Sequence, residues 1–267
     1  AFTGHPTMSL RTVLPQASRV APMVKLPVAL RLTSVQRTVS PRSARMGPRI
    51  SQLMLQILDQ EPQIQRLLNI VPERIGVHYA AQPVDEDRSR HAGVLYRDNP
   101  LTLLQAGELA VPVGSLFAVN EFEQPLLRDW VQLAQGRDDS EAMLAFFDDY
   151  LSIAVPALLG IYLMYGVAFE AHQQNSFMVM GADGQLNRLL LRDFGDIRID
   201  RKTLHAQGLD IQLHDPKMTL YDDTGFVRDK LLHTTFMCHL GELTLLCARH
   251  WSVPQDILWD RLATQVA

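Results

Sequence analysis

Hydrophobic residues take every second position in an early stretch of the chain, at Val24, Leu26, Val28, Leu30 and Leu32. A period of two is typical of a β-strand and not of an amphipathic helix. Several prolines between positions 15 and 41 would also interrupt a helix. We therefore predict short strands joined by turns over residues 1–45.

The next segment combines a helix with strands. Its helical stripe, which predicts a helix over about 49–59, consists of Ile50, Leu53, Met54, Ile57 and Leu58. Residues 74–80 and 92–97 are predicted to be strands, and the charged run Asp85–Arg88 between them a solvated loop. Residues 116–122 are predicted to form a further strand or a turn.

From Pro125 onwards the pattern is helical around one hairpin. A helix is predicted to start at Leu126, Ser140 to cap the next one, and residues 140–171 to form two helices bent at Pro156. Apolar runs at 176–180 and 186–191 flank a glycine-bearing turn and predict a β-hairpin. Residues 226–249 and 254–265 are predicted to be the last helices.

This order of elements predicts an α+β fold. Antiparallel strands at the N-terminal end are expected to pack with a mostly helical region that contains the hairpin. We divide the chain into a strand-rich region, 1–124, and a helical region, 125–267.

The charge distribution suggests an anionic partner. No carboxylate precedes Asp59, whereas eight arginines and lysines fall in that stretch, in a protein of net charge −4. A nucleic acid, a membrane surface and a nucleotide all fit a basic segment of this kind. The composition also resembles an organellar transit peptide, but the strand periodicity argues against an amphipathic helix there.

The cysteine content and the apolar segments favour a cytoplasmic protein without a membrane span. Cys238 and Cys247 are the only cysteines and give no disulfide framework, which fits a reducing compartment. The longest apolar run, 153–169, is interrupted by Pro156, Gly160 and Gly166. We interpret it as a buried core helix.

Functional side chains flank the predicted hairpin. It is preceded by Glu170, His172, Gln174 and Asn175, which we expect a helix end to deliver, and followed by Arg192, Asp193 and Asp196. A hairpin brings its ends together, so these groups should converge. Carboxylate and amide oxygens suit Mg²⁺ with substrate phosphates in its shell, and the basic segment around Lys25, Arg31 and Arg37 can face those phosphates. Together they imply ATP.

Any one of these residues taken singly is more often a helix cap or a packing residue than a functional one. Two other functional interpretations also remain. Asp193-Phe194-Gly195 spells the metal-binding tripeptide of protein kinases, so a kinase-like phosphotransferase is an alternative, although no glycine-rich phosphate loop is present. A non-catalytic module that binds polyanions through its basic N-terminal segment is the second alternative.

Five stretches of the chain form a recognisable series: 5–12 (HPTMSLRT), 25–27 (KLP) with 33–38 (TSVQRT), 96–100 (YRDNP), 166–176 (GVAFEAHQQNS) and 191–194 (LRDF). In this order, along nearly the whole chain, they resemble the aerobactin-synthetase (IucA/IucC) family of NRPS-independent siderophore synthetases. The resemblance implies a fingers-like strand region and a palm-like helical region. Since members are about twice this length, it identifies the chain with their C-terminal portion.

The resemblance also implies an activity: ATP-dependent adenylation of citrate or of a dicarboxylic-acid derivative. An amine, hydroxylamine or alcohol then captures the acyl-adenylate, and AMP and pyrophosphate are released. The implied nucleotide contacts are Ser9, Arg11, Thr12, Lys25, Gln174 and Asn175. The implied catalytic residues are Lys25, Arg37 and His172, and the implied Mg²⁺ ligands are Glu170, Asp193 and, with a spacing that departs from the family, Asp196.

Other implied features concern partners. The expected partners are small-molecule carboxylates and amines or hydroxylamines, with no nucleic acid and no membrane, and a homodimer is left open. Residues 226–250 also resemble the C-terminal region of FhuF-type ferric reductases. That family uses a cysteine-ligated cluster, for which Cys238 and Cys247 are too few, so we interpret both as small buried residues. The remaining histidines, His239 among them, are interpreted as surface or packing residues.

Overall fold

The computed structural model describes residues 3–28, 30–32, 35–80, 82–83, 85–215 and 218–267. Thr33 and Ser34, part of the 33–38 stretch above, lie outside the described residues. The first elements are β1 (Gly4–Pro6), β2 (Thr12–Pro15), β3 (Met23–Lys25), β4 (Arg31–Leu32), β5 (Val35–Gln36), α1 (Pro41–Gln60), α2 (Pro62–Leu67), β6 (Leu68–Ile70), β7 (Glu73–His78), α3 (Glu86–His91), β8 (Gly93–Arg97) and β9 (Leu109–Pro112).

Helices dominate the second part of the chain. Its elements are α4 (Leu127–Gln135), α5 (Ser140–Tyr165), β10 (Val167–Ala168), β11 (Ser176–Met180), β12 (Leu186–Leu191), β13 (Arg198–Asp200), α6 (Arg201–Ala206), β14 (Leu220–Tyr221), α7 (Thr224–Leu231), a π-helical segment (Leu232–Gly241), α8 (Glu242–Trp251) and α9 (Gln255–Val266). This mixture confirms the predicted α+β class, with antiparallel strands at the N-terminal end and helices around one hairpin.

Two sheets position the site. The strands β1-β2-β3-β8-β7 form an antiparallel sheet. A second sheet has the order β6-β12-β11-β9, in which β6 pairs with β12 in parallel and the other pairs are antiparallel. This second sheet therefore takes strands from both sides of residue 124, and the division of the chain at that position stays a prediction.

The centre of the core is α5. Its residues from Tyr150 to Tyr165 carry no charge, and the main apolar cluster packs around them. The helix ends at Gly166, which has φ of 69° and donates its N–H to the Tyr162 carbonyl at 2.8 Å. A left-handed residue is favoured as glycine at such a helix end, and a Cβ here would also overlap Asp200 and Thr203.

Two helical stretches, Ser140–Tyr165 and Thr224–Trp251, are long and apolar enough to span a membrane by length and composition alone. In the most apolar window of each, 56% and 50% of the residues are buried inside the protein. The core helix of a folded domain shows the same combination, which agrees with the interpretation of 153–169 as core.

Several boundaries differ from the sequence predictions. The strands predicted at 74–80 and 92–97 and the hairpin are confirmed. In contrast, residues 41–45 are helical, because Ser40 accepts a hydrogen bond from the Ser43 N–H and caps α1. The helix therefore begins at Pro41, well before the apolar stripe that starts at Ile50. The alternating stretch from Val24 to Leu32 forms strand only at 23–25 and 31–32. Residues 113–117 form a 3₁₀ turn.

Capping explains two further corrections. The run predicted to be a loop at Asp85–Arg88 begins α3, because Asp85 accepts the Arg88 N–H at 3.0 Å. Asp139, not Ser140, caps α5 through the Ala142 N–H. α5 is one helix from 140 to 165 with Pro156 inside it, so Glu170 lies in the loop after β10 and not at a helix end.

Candidate active site

The hairpin β11–β12 brings the two predicted groups of side chains together. Ser176 pairs with Leu191 at its open end, and the Arg192 N–H donates to the Asn175 carbonyl at 3.0 Å. The preceding loop is held by its own hydrogen bonds. The Asn175 N–H donates to the His172 carbonyl at 3.0 Å, and the Asn175 side-chain amide to the Glu170 carbonyl at 3.1 Å.

A cleft of about 480 Å³ opens at this point. It is lined by all but one of the residues to which the resemblance assigns a role, namely Ser9, Arg11, Lys25, Arg37, Glu170, His172, Gln174, Asn175, Asp193 and Asp196. The exception is Thr12, which is 1% exposed and whose hydroxyl donates to the Ser9 hydroxyl behind the cleft wall. Arg31 is exposed and is not a lining residue.

The N-terminal sheet supplies the cations. Lys25, at the end of β3, places its Nζ 2.7 Å from both carboxylate oxygens of Asp193. Arg97 lies on the neighbouring strand β8, 3.4 Å from the same carboxylate and 2.6 Å from Glu73. Lys25, Arg97 and Glu73 are each no more than 4% exposed. Arg11 donates to the Thr38 carbonyl and thereby ties its guanidinium to the cleft.

Asp193 is therefore an anion held between two buried cations. Burial alone raises the pKa of its carboxyl, but the charges of Lys25 and Arg97 lower that pKa below its ordinary value. The residue has φ of 66°. Left-handed backbone is uncommon outside glycine and concentrates at functional sites.

A second group of charges lies on the other side of the cleft. Lys230, from α7, is 2.6 Å from Asp196 and 3.5 Å from Glu170. Burial raises the pKa of Glu170, and the negative charges of Asp196 and Asp193 raise it further, although Lys230 acts in the opposite direction. Three carboxylates therefore repel one another around one buried ammonium.

His172 lies between these groups, with its Nε2 3.9 Å from a Glu170 oxygen. Burial lowers the pKa of its imidazole, and the charge of Lys230 lowers it again. In the free protein the ring is therefore neutral at pH 7.

Arg192 does not line the cleft but supports it from behind. Its guanidinium donates to the Gln174 carbonyl at 2.8 Å and lies 5.0 Å from the centre of the Phe177 ring. Burial, together with the charge of Arg97, lowers the pKa of Arg192 to about 10. On the other side of the loop, the Gln174 amide donates to the Met8 carbonyl at 3.4 Å, which links the loop to the N-terminal sheet.

Sequence reasoning missed Arg97, Glu73 and Lys230. Arg97 stands in the family-like stretch 96–100, so its identity was a usable signal. Nothing in the sequence around Glu73 or Lys230 indicated a role in the site, because each lies in an element where a charged residue normally faces solvent. Their burial at 2% and 6% depends on packing between distant segments.

The oxygen donors fit Mg²⁺, which is commonly held by one or two carboxylates together with substrate phosphates. Within the described ranges no group of three or more His, Cys, Asp and Glu has the geometry of a metal site formed by protein alone. Burial is the main cause of the raised pKa of Glu170, and the repulsion by Asp196 and Asp193 that raises it further is the kind that a divalent cation relieves.

The cysteines are not arranged as a cluster site. Cys247 is 2% exposed, and burial raises the pKa of its thiol to about 12. Cys238 is only half-buried, with its sulfur 3.7 Å from His233, so it is not the fully buried residue expected from the sequence. Both are free thiols.

Comparison with known families gives two matches. Residues 3–118 match the family model described as the IucA / IucC family, and residues 144–267 match one described as the ferric iron reductase FhuF-like transporter. The chain has two cysteines in all, fewer than the four thiolates of common iron–sulfur sites.

Curated relatives extend over nearly the whole chain. An uncharacterized protein of Sinorhizobium fredii is 36% identical over 95% of this chain and 41% of its own length. The D-ornithine–citrate ligase of Staphylococcus aureus is 26% identical over 94% of this chain and 41% of its own length. The aerobactin synthase of Vibrio mimicus is 29% identical over 98% of this chain and 45% of its own length. The chain thus spans less than half the length of these relatives.

Solved structures share the fold. The petrobactin biosynthesis protein AsbB from Bacillus anthracis has a TM-score of 0.85 at 20% identity, covering 100% of this chain and 45% of that protein. ATP-bound aerobactin synthetase IucA from Klebsiella pneumoniae has a TM-score of 0.79 at 20% identity, covering 97% of this chain and 46% of that protein. The family match, the relatives and the fold agree: the chain belongs to the IucA/IucC family.

Proposed function

We propose that this chain carries the ATP-binding and carboxylate-activating site of a siderophore synthetase. The observation that carries the proposal is the cleft itself. It places Lys25, Arg11 and Arg37 on one wall and Glu170 and Asp196 on the other. A nucleotide triphosphate with Mg²⁺ needs both kinds of group, cations for the phosphates and oxygens for the metal.

We assign the proposed roles according to the wall of the cleft on which each residue lies. Ser9, Arg11, Thr12, Lys25, Gln174 and Asn175 bind the nucleotide, with Thr12 acting from behind through the Ser9 hydroxyl. Lys25, Arg37 and His172 face the reacting groups. Glu170, Asp193 and Asp196 hold Mg²⁺, which supplies neutralisation of phosphate charge when bound.

The chemistry needs positioning more than proton transfer. The substrate carboxylate is already a nucleophile; it attacks the α-phosphorus, an acyl-adenylate forms and pyrophosphate leaves. The two anions repel each other, so their close approach and the charge that develops on phosphorus must be stabilised. Lys25 can do this without leaving Asp193, because two of its three N–H donors reach Asp193 and one remains.

The second step transfers the acyl group. An amine, hydroxylamine or alcohol attacks the acyl-adenylate and AMP leaves. The relative named D-ornithine–citrate ligase supports citrate as the carboxylate, and a dicarboxylic-acid derivative is the alternative. A neutral His172 at pH 7 can accept the proton of the attacking nucleophile, which an imidazolium could not.

The test is nucleotide turnover in the complete protein. Pyrophosphate, AMP and ADP are measured with ATP, Mg²⁺, citrate and a panel of amines and hydroxylamines. Arg37→Ala and His172→Ala should each lower the rate by about a hundred- to a thousandfold, the usual loss for one donor to a developing charge. Arg31→Ala, an exposed arginine outside the lining, is the matched control and should remain near the native rate.

Each alternative predicts a different product pattern. A kinase-like phosphotransferase would leave ADP and no pyrophosphate. A polyanion-binding module would turn over no ATP and would bind phosphate polymers with a steep dependence on salt. Native-like turnover by both Arg37→Ala and His172→Ala would contradict the catalytic roles proposed for these two residues. A cytoplasmic location stays a prediction, and a homodimer stays open.

A further inference from the structure

Three side chains from one continuous helical stretch reach three consecutive residues of the site loop. The Thr234 hydroxyl lies 2.7 Å from the Phe169 carbonyl and 2.8 Å from the Lys230 carbonyl of its own helix, and its one proton is shared between these two acceptors. The Lys230 ammonium lies 3.5 Å from the Glu170 carboxylate. The His239 ring nitrogen Nδ1 lies 2.8 Å from the Ala171 carbonyl. The next residue in the loop is His172, so this helical stretch contacts the chain immediately before the proposed catalytic group.

The π-helical segment Leu232–Gly241 makes this arrangement possible. Thr234 and His239 are five positions apart, and in an α-helix such residues point about 140° away from each other. In a π-helix the hydrogen bonds join residues five apart, so the two side chains face the same side. Such segments are rare and often accompany functional sites.

His239 is anchored from both sides. Its Nε2 lies 2.6 Å from the Tyr150 hydroxyl, and both residues are fully buried. A carbonyl can only accept, so Nδ1 carries the proton towards Ala171, and Nε2 accepts from Tyr150. Burial lowers the pKa of His239 to about 4, which keeps the ring neutral and this donor pattern fixed at pH 7.

Resting on the function proposed above, we propose that the π-helical segment is a positioning element of the active site. Thr234 and His239 are its positioning residues: they fix the Phe169 and Ala171 carbonyls and thereby the direction in which His172 enters the cleft. Neither lines the cleft, so they act on the reaction only through the loop.

Thr234→Val gives the sharpest test, because it keeps the side-chain shape and removes only the hydroxyl. Thr244→Val is its matched control: Thr244 is equally buried, and its hydroxyl donates only within the helix, to Leu240 at 2.8 Å. Thr234→Val should speed amide hydrogen exchange in a peptide covering 167–176, and Thr244→Val should not. In the complete protein, kcat should fall about ten- to a hundredfold with KM for ATP nearly unchanged.

Two variants at His239 separate positioning from packing. Asparagine can place an N–H near the position of Nδ1, whereas leucine cannot donate at all. His239→Asn should therefore retain slower loop exchange and higher kcat than His239→Leu. Equal behaviour of these two would remove His239 from the proposal. If both fail to fold, the Thr234 and Thr244 pair decides.

The exchange measurement keeps this inference separate from the proposed function. It is made on the protein without ATP, so it is informative even if the native protein releases no pyrophosphate. If the native protein shows no turnover but Thr234→Val speeds exchange in the loop, the siderophore-synthetase activity is refuted and the positioning of the loop is retained. Indistinguishable exchange and kcat in Thr234→Val and Thr244→Val would overturn the positioning role.

Discussion

Replacing Lys25 by methionine tests how strongly the charge pair at the centre of the cleft stabilises the fold. The side chains of Lys25 and Asp193 are 5% and 20% exposed, and two contacts of 2.7 Å join them. At that distance and an effective dielectric constant of 20 the attraction is about 6 kcal/mol. Methionine avoids the desolvation of a buried ammonium, roughly several kcal/mol, and Arg97 still faces Asp193 at 3.4 Å. We expect the free energy of unfolding to fall by about 2–4 kcal/mol at pH 7.

The loss should depend on pH in a defined direction. Burial raises the pKa of Asp193, but Lys25 lowers the folded value below the ordinary one. The stability contributed by this carboxylate is therefore present above its unfolded pKa of about 3.9 and is lost as pH falls through the folded value. Without Lys25 the folded pKa rises. The difference between variant and native protein should be largest at pH 7 and shrink below about pH 4.

Urea denaturation followed by circular dichroism in buffer containing EDTA, at pH 7 and pH 3.5, measures this difference. Lys230→Met is the informative comparison, because its nearer partner Asp196 is 62% exposed and its second partner Glu170 is 27% exposed and more distant, at 3.5 Å. The loss there should be about 1 kcal/mol. Lys202→Met, at an exposed lysine, should stay within about 0.5 kcal/mol of the native protein. A Lys25→Met value as small as that of Lys202→Met, or one independent of pH, would refute the reasoning.

Three further predictions concern other buried groups. Burial lowers the pKa of His239 to about 4, so between pH 6.5 and 4 only the unfolded chain takes up the proton. The free energy of unfolding contributed by this group is therefore complete above pH 6.5 and falls by about 3 kcal/mol between pH 6.5 and 4. Urea titrations at several pH values should show this slope in the native protein and lose it in His239→Asn. Gly47→Ala should cost about 1–3 kcal/mol in thermal unfolding, because its Cβ would overlap the Glu73 carboxylate. A thiol reagent such as iodoacetamide should modify Cys238 alone in the folded protein and Cys247 only after denaturation, as counted by intact mass.

These predictions have clear contrary outcomes. An unchanged pH slope in His239→Asn would mean that other groups set it. The control for Gly47 is Gly195→Ala, whose Cβ would meet only an ordinary contact at 3.5 Å; equal losses in the two variants would contradict the overlap argument. Rapid labelling of two thiols in the folded protein would show that Cys247 is accessible.

Local pattern predicted the hairpin and its role. Apolar runs around a glycine-bearing turn specify two paired strands, and pairing forces residues 175 and 192 together whatever the rest of the chain does. The partner of Asp193 could not be derived in this way. Lys25 is 168 positions away, and the sequence placed it against the phosphates of a bound nucleotide, not against Asp193. Periodicity describes neighbours in sequence, whereas this contact is set by how one sheet packs on another.

The errors have local causes as well. α3 has six residues and only one buried side chain, so no apolar stripe could reveal it. Its cap Asp85, the acidic residues in its first turn and the basic residues in its last turn stabilise it instead. The π-helical segment could not be predicted either, because its composition is that of any core helix. Its hydrogen-bonding pattern directs Thr234 and His239 towards the site loop, and the sequence alone did not place that loop beside it.

The parallel pairing of β6 with β12 has a kinetic consequence. The hairpin joins neighbours and can form quickly, but its outer strand is completed only when Leu68–Ile70 arrives from far upstream. Contacts of such long range are slow to form because closing a long loop loses chain entropy before any contact compensates for it. Lys25 and Asp193 should therefore meet late in folding. If the proposed ATP site is the one assembled by both sheets, a refolding experiment that follows nucleotide binding should show a lag after the hairpin amides are protected.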